Sequence, residues 1–300
     1  VIDILLEPGT LPETNAMLQA LEAAQHGETL YTATVLPSSA SESIPFARVI
    51  VRPDDSIVFS SSHLSAETRS QLASLARMGR HADTVSIDLG NATQNVFFEP
   101  ILPPQRLVIF GAGEDARPLA RMAYLLGWSI AVADGRPRLA QATRFPEAEQ
   151  VLVLNEAAAN LEQLRLSNRD AVAVLTHSFQ QDKNLIRRLL PLELRYLGLL
   201  GAHHRSRVLL TEVGQQLGWT PEQCLRRVHT PIGLDLGSDS PETVALAIIA
   251  EIQSVIHGKH AAPRHMSEEA LHAASSRAYI PVQCPLDDSP PPPYVSKTTH

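Results

Sequence analysis

The chain's 300 residues suffice for one large or two modest domains with a buried core. With 44% apolar and 19% charged residues it has the balance of a soluble globular protein, and a net charge of −7 with a pI near 5.9 argues against nucleic acid or an anionic membrane as partner. No apolar run reaches the roughly 20 residues that span a bilayer, no basic-then-apolar leader is seen, and Cys224 and Cys284 lack any CxxC spacing. A reduced, cytoplasmic setting is therefore expected, without a disulfide framework or a cysteine zinc site.

In chain order, Pro12 to Gln25 carries Leu and Ala at helical spacing, with Pro12 at the first helical position. Leu30–Leu36, Ala47–Arg52 and Ser56–Ser60 are rich in β-branched and aromatic residues and read as strands, the last two joined by the turn residues Pro53, Asp54 and Asp55. Ser65 to Met78 returns to helical periodicity, and Thr84–Asp88 and Gln94–Glu99 read as short strands. Residues 1–99 thus form a smaller mixed α/β domain. Pro100, Pro103 and Pro104 break the pattern, which places a linker at 100–105.

Regular alternation follows. Apolar strands are expected at Arg106–Phe110, Ser129–Ala133, Val151–Leu154, Ala171–Leu175 and Tyr196–Leu200. Helices fit at Ala116–Leu126, Glu156–Arg165, Gln181–Leu190 and His203–Leu217. This is the pattern of a Rossmann-type parallel sheet with helices on both faces, spanning 106–258. A last helix begins near Ser240, which can cap it, and buries Val244, Ile248, Ile249, Ile252 and Ile256. Residues 259–300 read as a polar, Pro-rich tail with at most a short helix at Ser267–Ser275.

The sharpest local signal is Gly111-Ala112-Gly113-Glu114-Asp115-Ala116, set between a strand and a helix. The first glycine permits a tight turn, the second lets backbone approach a pyrophosphate, and the small Ala116 lets helix and strand pack closely. The helix start offers free N–H groups to phosphates. Asp134, 23 residues after Gly111, stands where a carboxylate meets ribose hydroxyls, and Arg136 and Arg138 can meet an extra phosphate. A purely structural glycine turn is the rival reading. Glu114 and Asp115 are expected to repel a pyrophosphate.

Three further loops should gather at the same sheet edge. Thr176 and His177 follow one strand. Gly201, Ala202, His203, His204 and Arg205 follow another and open a helix, as a second anion site would. Gly233 and Asp235 lie in the loop before the last helix. Against these stand a backbone-bonded His177 and a solvated helix start at 203–205. Adjacent histidines cannot share a helix face, so no metal site is expected there. No nucleophile motif, HExxH or reactive-cysteine context is present, so the catalytic residues are unknown.

Five spaced segments carry a family resemblance: GAGEDARPLARMAYLLGWSIAVADGRP, RFPEAEQV, VLTHSFQQDKNLI, YLGLLGAHHRSRVLL and PIGLDLGSDSPETVALAIIAEI. Together, over about 106–256, they closely resemble the XdhC/CoxI family of accessory proteins for molybdenum hydroxylases. That resemblance implies a two-domain, often dimeric protein. It would bind molybdenum cofactor (molybdopterin), assist its sulfuration with a cysteine desulfurase, and deliver it to an apo-molybdenum hydroxylase such as xanthine dehydrogenase. The glycine cradle would then hold the phosphate or nucleotide end of the pyranopterin.

The first domain resembles the family more faintly. Ser38 to Pro45 lacks the family's Arg and glycines, Ser60 to Glu67 lacks its Cys, and no Cys-Gly-Gly segment stands near Asn91 to Asn95. The family often has His where this chain has Glu114. The resemblance therefore implies a kept fold with replaced ligand loops. Two other functions stay open: an NAD(P)-dependent oxidoreductase using the cradle and Asp134, and a regulatory paralogue that docks to a molybdoenzyme without cargo.

Overall fold

The computed structural model describes residues 5–37, 46–77, 82–90, 93–155 and 160–259. Helix α1 (Pro12–Gln25) precedes a five-stranded antiparallel sheet of β1 (Leu30–Val35), β2 (Ala47–Val51), β3 (Ile57–Ser60), β4 (Asp83–Asp88) and β5 (Thr93–Ile101). The strand order is β3-β2-β1-β5-β4, and α2 (Ala66–Ala76) lies between β3 and β4 in the chain. Both faces of this sheet are covered. Leu30, Ile50 and Ile101 meet the small stripe Ala16, Ala20 and Ala24 of α1, so the helix can approach closely. Ala33, Val35, Val49, Val51, Val96 and Phe98 pack on Leu72, Ala73 and Ala76 of α2. The central strands β1 and β2 are therefore buried along nearly their whole length, with Thr32, Thr34 and Arg48 as buried polar residues.

The linker expected at 100–105 is shorter. Pro100 and Ile101 belong to β5, paired with Tyr31 and Leu30. Among the described residues β4 pairs with β5 only as far as Phe98, so Pro100 meets no second strand there, as suits a proline.

The second sheet is wholly parallel: β6 (Arg106–Phe110), β7 (Ser129–Asp134), β8 (Gln150–Val153), β9 (Ala171–Val174) and β10 (Tyr196–Leu199), in the order β10-β9-β6-β7-β8. The chain runs outward from β6 to β8, then crosses back to β9 on the other side. The order thus reverses between β6 and β9, the point where open sheets of this kind bind ligands. Helices α3 (Ala116–Leu125) and α7 (Pro241–Ile256) cover one face over Leu107, Ile109, Ile130 and Val132. Helices α4 (Phe179–Leu189) and α5 (His203–Leu217) cover the other over Val108, Phe110, Val172 and Val174. A short helix α6 (Pro221–Leu225) buries Cys224.

Helix α7 starts as its sequence suggests. Ser240 Oγ accepts from Thr243 N, and Thr243 Oγ1 accepts from Ser240 N. Ile248, Ile249 and Ile252 are buried, with Val244 and Ile256 at the margin of the same core.

One expected helix is absent where it can be described. Residues 156–159 lie outside the described residues, and 160–165 hold only a 3-10 turn, Leu161–Leu164, closed by Arg165 at φ +47°. Asn155 and Asn160 explain it: each side-chain oxygen accepts the other's backbone N–H, at 3.0 and 3.1 Å. These local bonds compete with a helical ladder. The loop at 38–45, Asn91, and the tail from 260, with Ser267–Ser275 and Cys284, also lie outside the described residues. Among the described residues no helix is long and apolar enough to cross a membrane.

Candidate functional site

The two glycines after β6 differ in what they answer to. Gly111 has φ +116°, and a Cβ there would lie 2.5 Å from the Leu175 carbonyl oxygen, so the β9 backbone itself excludes a side chain. The same closeness lets Leu175 N donate to Phe110 O at 2.6 Å and Gly111 N to Ala133 O at 2.8 Å. Among the described residues nothing lies within 4 Å of where a Cβ of Gly113 would be. Internal packing therefore gives no reason for glycine at that position, and the space above it is open. Ala116 is buried beneath the loop. No side chain caps α3, and no acceptor among the described residues meets the N–H groups of Gly113, Glu114, Asp115 and Ala116. They form a row of free donors at the positive end of a helix.

Asp134 is turned inward. Its buried carboxylate accepts from Ala112 N at 2.6 Å, Arg136 N at 2.8 Å, Arg136 Nε at 2.9 Å and Arg136 Nη2 at 2.7 Å. Burial alone would raise its pKa, but the bonds from Arg136 and Ala112 outweigh it and hold the group below its ordinary value. The carboxylate expected to meet a ribose instead ties the glycine loop to the end of β7. Arg136, expected at an extra phosphate, is occupied by Asp134.

The two acids in the loop both have side-chain partners. Glu114 Oε1 lies 2.7 Å from Arg144 Nη2, and Oε2 lies 3.1 Å from Arg117 Nη1. The Arg117 bond, then that of Arg144, holds the exposed carboxyl below its usual range. Asp115 Oδ2 lies 2.8 Å from His177 Nε2. Glu114 thus faces Arg117 and Arg144, and Asp134 faces Arg136, so the repulsion of a phosphate expected from Glu114 is largely cancelled, while Asp115 is engaged by His177.

His177 stands on the loop after β9 at φ +60°, a left-handed conformation costly for a residue with a Cβ. Beside it Thr176 is buried and donates to Asp182 Oδ1 at 2.5 Å, while Arg205 Nη2 meets Asp182 Oδ2 at 2.5 Å. Asp182 thereby links the loop after β9 to the start of α5. A cleft of about 450 Å³ opens here, lined by His177, Leu200, Gly201, Ala202, Arg205 and Pro231. Ala202 provides no side-chain cap, and the exposed His203 begins α5 with its N–H free. Gly233 and Asp235 do not line this cleft. Gly233 packs on α7, where a Cβ would lie 3.2 Å from Ala247, and donates to Glu251 Oε2 at 2.7 Å; Asp235 is exposed.

Residues 107–252 match the XdhC Rossmann domain. The second domain of the chain is thus an XdhC Rossmann domain. It is 34% identical over 180 residues to a probable xanthine dehydrogenase subunit of Bacillus subtilis (strain 168), covering 60% of this chain and 52% of that protein. It is 24% identical over 153 residues to the molybdenum cofactor insertion chaperone PaoD of Escherichia coli (strain K12), covering 51% and 41%. The crystal structure of a xanthine dehydrogenase from Bacillus halodurans superposes with a TM-score of 0.66 at 25% identity, covering 88% of this chain and 70% of that one. The chain spans about half the length of the curated relatives it matches.

Within this XdhC Rossmann domain, several polar residues escaped the reading by motif. Arg117, Arg144 and Asp182 each sit on a helix or 3-10 turn where a charge reads as surface. So does Glu251, which accepts from Tyr196 Oη at 2.5 Å and lies 3.2 Å from His229 Nδ1. Tyr196 and His229 stack at 4.6 Å. Their signal was available only as an acid or base on the buried side of an amphipathic pattern. Among the described residues no three His, Cys, Asp or Glu side chains cluster as a metal site requires.

Proposed function

We propose that this protein is a carrier for molybdenum cofactor, holding it by its phosphate or nucleotide end at the β6/β9 crevice and passing it to an apo-molybdenum hydroxylase. One observation carries the reading. The open space over Gly113, with the free N–H row from Gly113 to Ala116, is a cradle that internal packing does not require. The likeness of this chain to PaoD supports the cargo, because that protein is a molybdenum cofactor insertion chaperone. A role in sulfuration beside a cysteine desulfurase, action as a homodimer and a cytoplasmic site belong to the same proposal.

The carrier acts by binding, without turnover. The helix dipole and free N–H groups attract the phosphate, the second set of free donors at the start of α5 borders the neighbouring cleft, and His177 stands between the two. An NAD(P)-dependent oxidoreductase is disfavoured by Asp134, whose acceptors are taken by Ala112 and Arg136 and so are withdrawn from a ribose.

The test is titration of the purified protein with molybdenum cofactor, with NADPH as the parallel ligand, repeated on Gly113→Asp. Binding of the pterin that disappears in the variant supports the carrier. Binding of NADPH alone makes it an oxidoreductase, and binding of neither leaves a docking paralogue.

A further inference from the structure

The Glu114 clasp is a finding that the carrier reading does not itself require. The Glu114 carboxylate hangs from two guanidiniums that come from different elements, Arg117 on α3 and Arg144 on the 3-10 turn Ala142–Arg144. It lies at the mouth of the glycine loop, next to the open space at Gly113 and the free N–H row. Glu114 is well exposed, its side chain 68% accessible, so an incoming anion can reach the clasp directly. The clasp also leaves donors unused: among the described residues, Nε of Arg117 and Nε of Arg144 are buried and meet no acceptor. A two-armed cationic grip on an exposed anion beside an anion cradle is the arrangement a bound phosphate would have.

We propose that Arg117 and Arg144 are ligand residues for a phosphate dianion, and that Glu114 is an internal stand-in that fills their grip until the ligand displaces it. The proposal rests on the carrier reading for the identity of the cargo, but not for the chemistry of the grip. A carboxylate carries one negative charge, whereas a phosphate monoester carries about 1.5 to 2 at neutral pH. Exchange therefore favours a phosphate or diphosphate over a monoanion, and Glu114 sets a threshold that weakly charged ligands do not pass. The two arginines also differ in kind from the backbone donors. They can swing from the carboxylate to the ligand by side-chain rotation, while the N–H row stays fixed.

The test uses isothermal titration of the full chain with inorganic pyrophosphate and, separately, inorganic phosphate, at matched ionic strength. Wild type is compared with Glu114→Gln, Arg144→Gln and the double variant, with circular dichroism to verify the fold. Removing the competing charge should tighten pyrophosphate binding by about tenfold, and removing Arg144 should weaken it by about tenfold. In the Arg144→Gln background the gain from Glu114→Gln should shrink, because only the Arg117 arm is left to be released. A Glu114→Gln variant that binds no tighter than wild type, or a gain just as large after loss of Arg144, overturns the proposal. Titration of the same variants with molybdenum cofactor separates the two claims. Cofactor bound by wild type and lost in Gly113→Asp, yet indifferent to Glu114 and Arg144, removes the stand-in and keeps the carrier. Pyrophosphate that obeys the clasp while the cofactor does not bind keeps the stand-in and removes the carrier.

Discussion

His177 Nε2 lies 2.8 Å from Asp115 Oδ2, and this bond joins the two loops that flank the reversal of strand order between β6 and β9. The pair is partly exposed, so its worth to stability is about 0–1 kcal/mol. It nevertheless spans the crevice, and His177 lines the adjoining cleft. His177→Ala is therefore expected to shift the unfolding free energy by less than about 1 kcal/mol in urea denaturation. Molybdenum cofactor binding should fall at least about tenfold. Unchanged binding in equilibrium dialysis would restrict His177 to shaping the loop.

The glycines separate packing from ligand approach. Gly111→Ala forces a Cβ against the Leu175 carbonyl at a positive φ and should cost about 2–4 kcal/mol. Gly113→Ala meets nothing among the described residues and should cost less than about 1 kcal/mol. Urea midpoints of the two variants test this, and equal losses would contradict the assignment of the open space.

Asp134 makes stability depend on acid. Its folded pKa lies below its unfolded one, so its contribution is fully present above the unfolded value of about 3.9 and is lost as pH falls through the folded value. Asp134→Asn should cost about 2–4 kcal/mol at pH 7, since a buried carboxylate with four donors loses its charge. The gap from wild type should narrow below about pH 4. A gap independent of pH would mean that the loop is held by shape rather than by the carboxylate.

Tyr196 supplies the opposite limb. Burial, then the charge and hydrogen bond of Glu251, push its phenol well above the ordinary value. A raised pKa gives stability that is full below the unfolded value of about 10 and is lost as pH climbs through the folded one. Tyr196→Phe should flatten the alkaline decline of the urea midpoint above about pH 10. An undiminished decline would place its cause elsewhere.

Most of the fold could be read from periodicity, because strands buried on both faces are nearly pure runs of Val, Ile, Leu and Ala, as at Arg106–Phe110 and Ala171–Val174. The site was less legible. A glycine loop with an acid 23 residues on has the same spelling whether Asp134 faces a ribose or the loop's own Ala112 N–H. Arg144 and Asp182 meet their partners across about 30 and 6 residues of chain, through folding that no local pattern records. The helix expected at Glu156–Arg165 failed over 160–165 because two asparagines bonded to one another's backbone, a preference that depends on their mutual placement.

The close approach of Gly111 to the Leu175 carbonyl bears on how the crevice of the proposed carrier would exchange a cargo. Leu175 N donates to Phe110 O, so the ends of the two strands lie backbone to backbone and a carrier would not open by parting them. Entry and exit fall to the rim, where Glu114, Asp115, Arg144 and His177 can rearrange by rotation alone. Release should then be set by the ionic make-up of the surroundings and by the charge of an approaching acceptor surface, with the scaffold beneath remaining still.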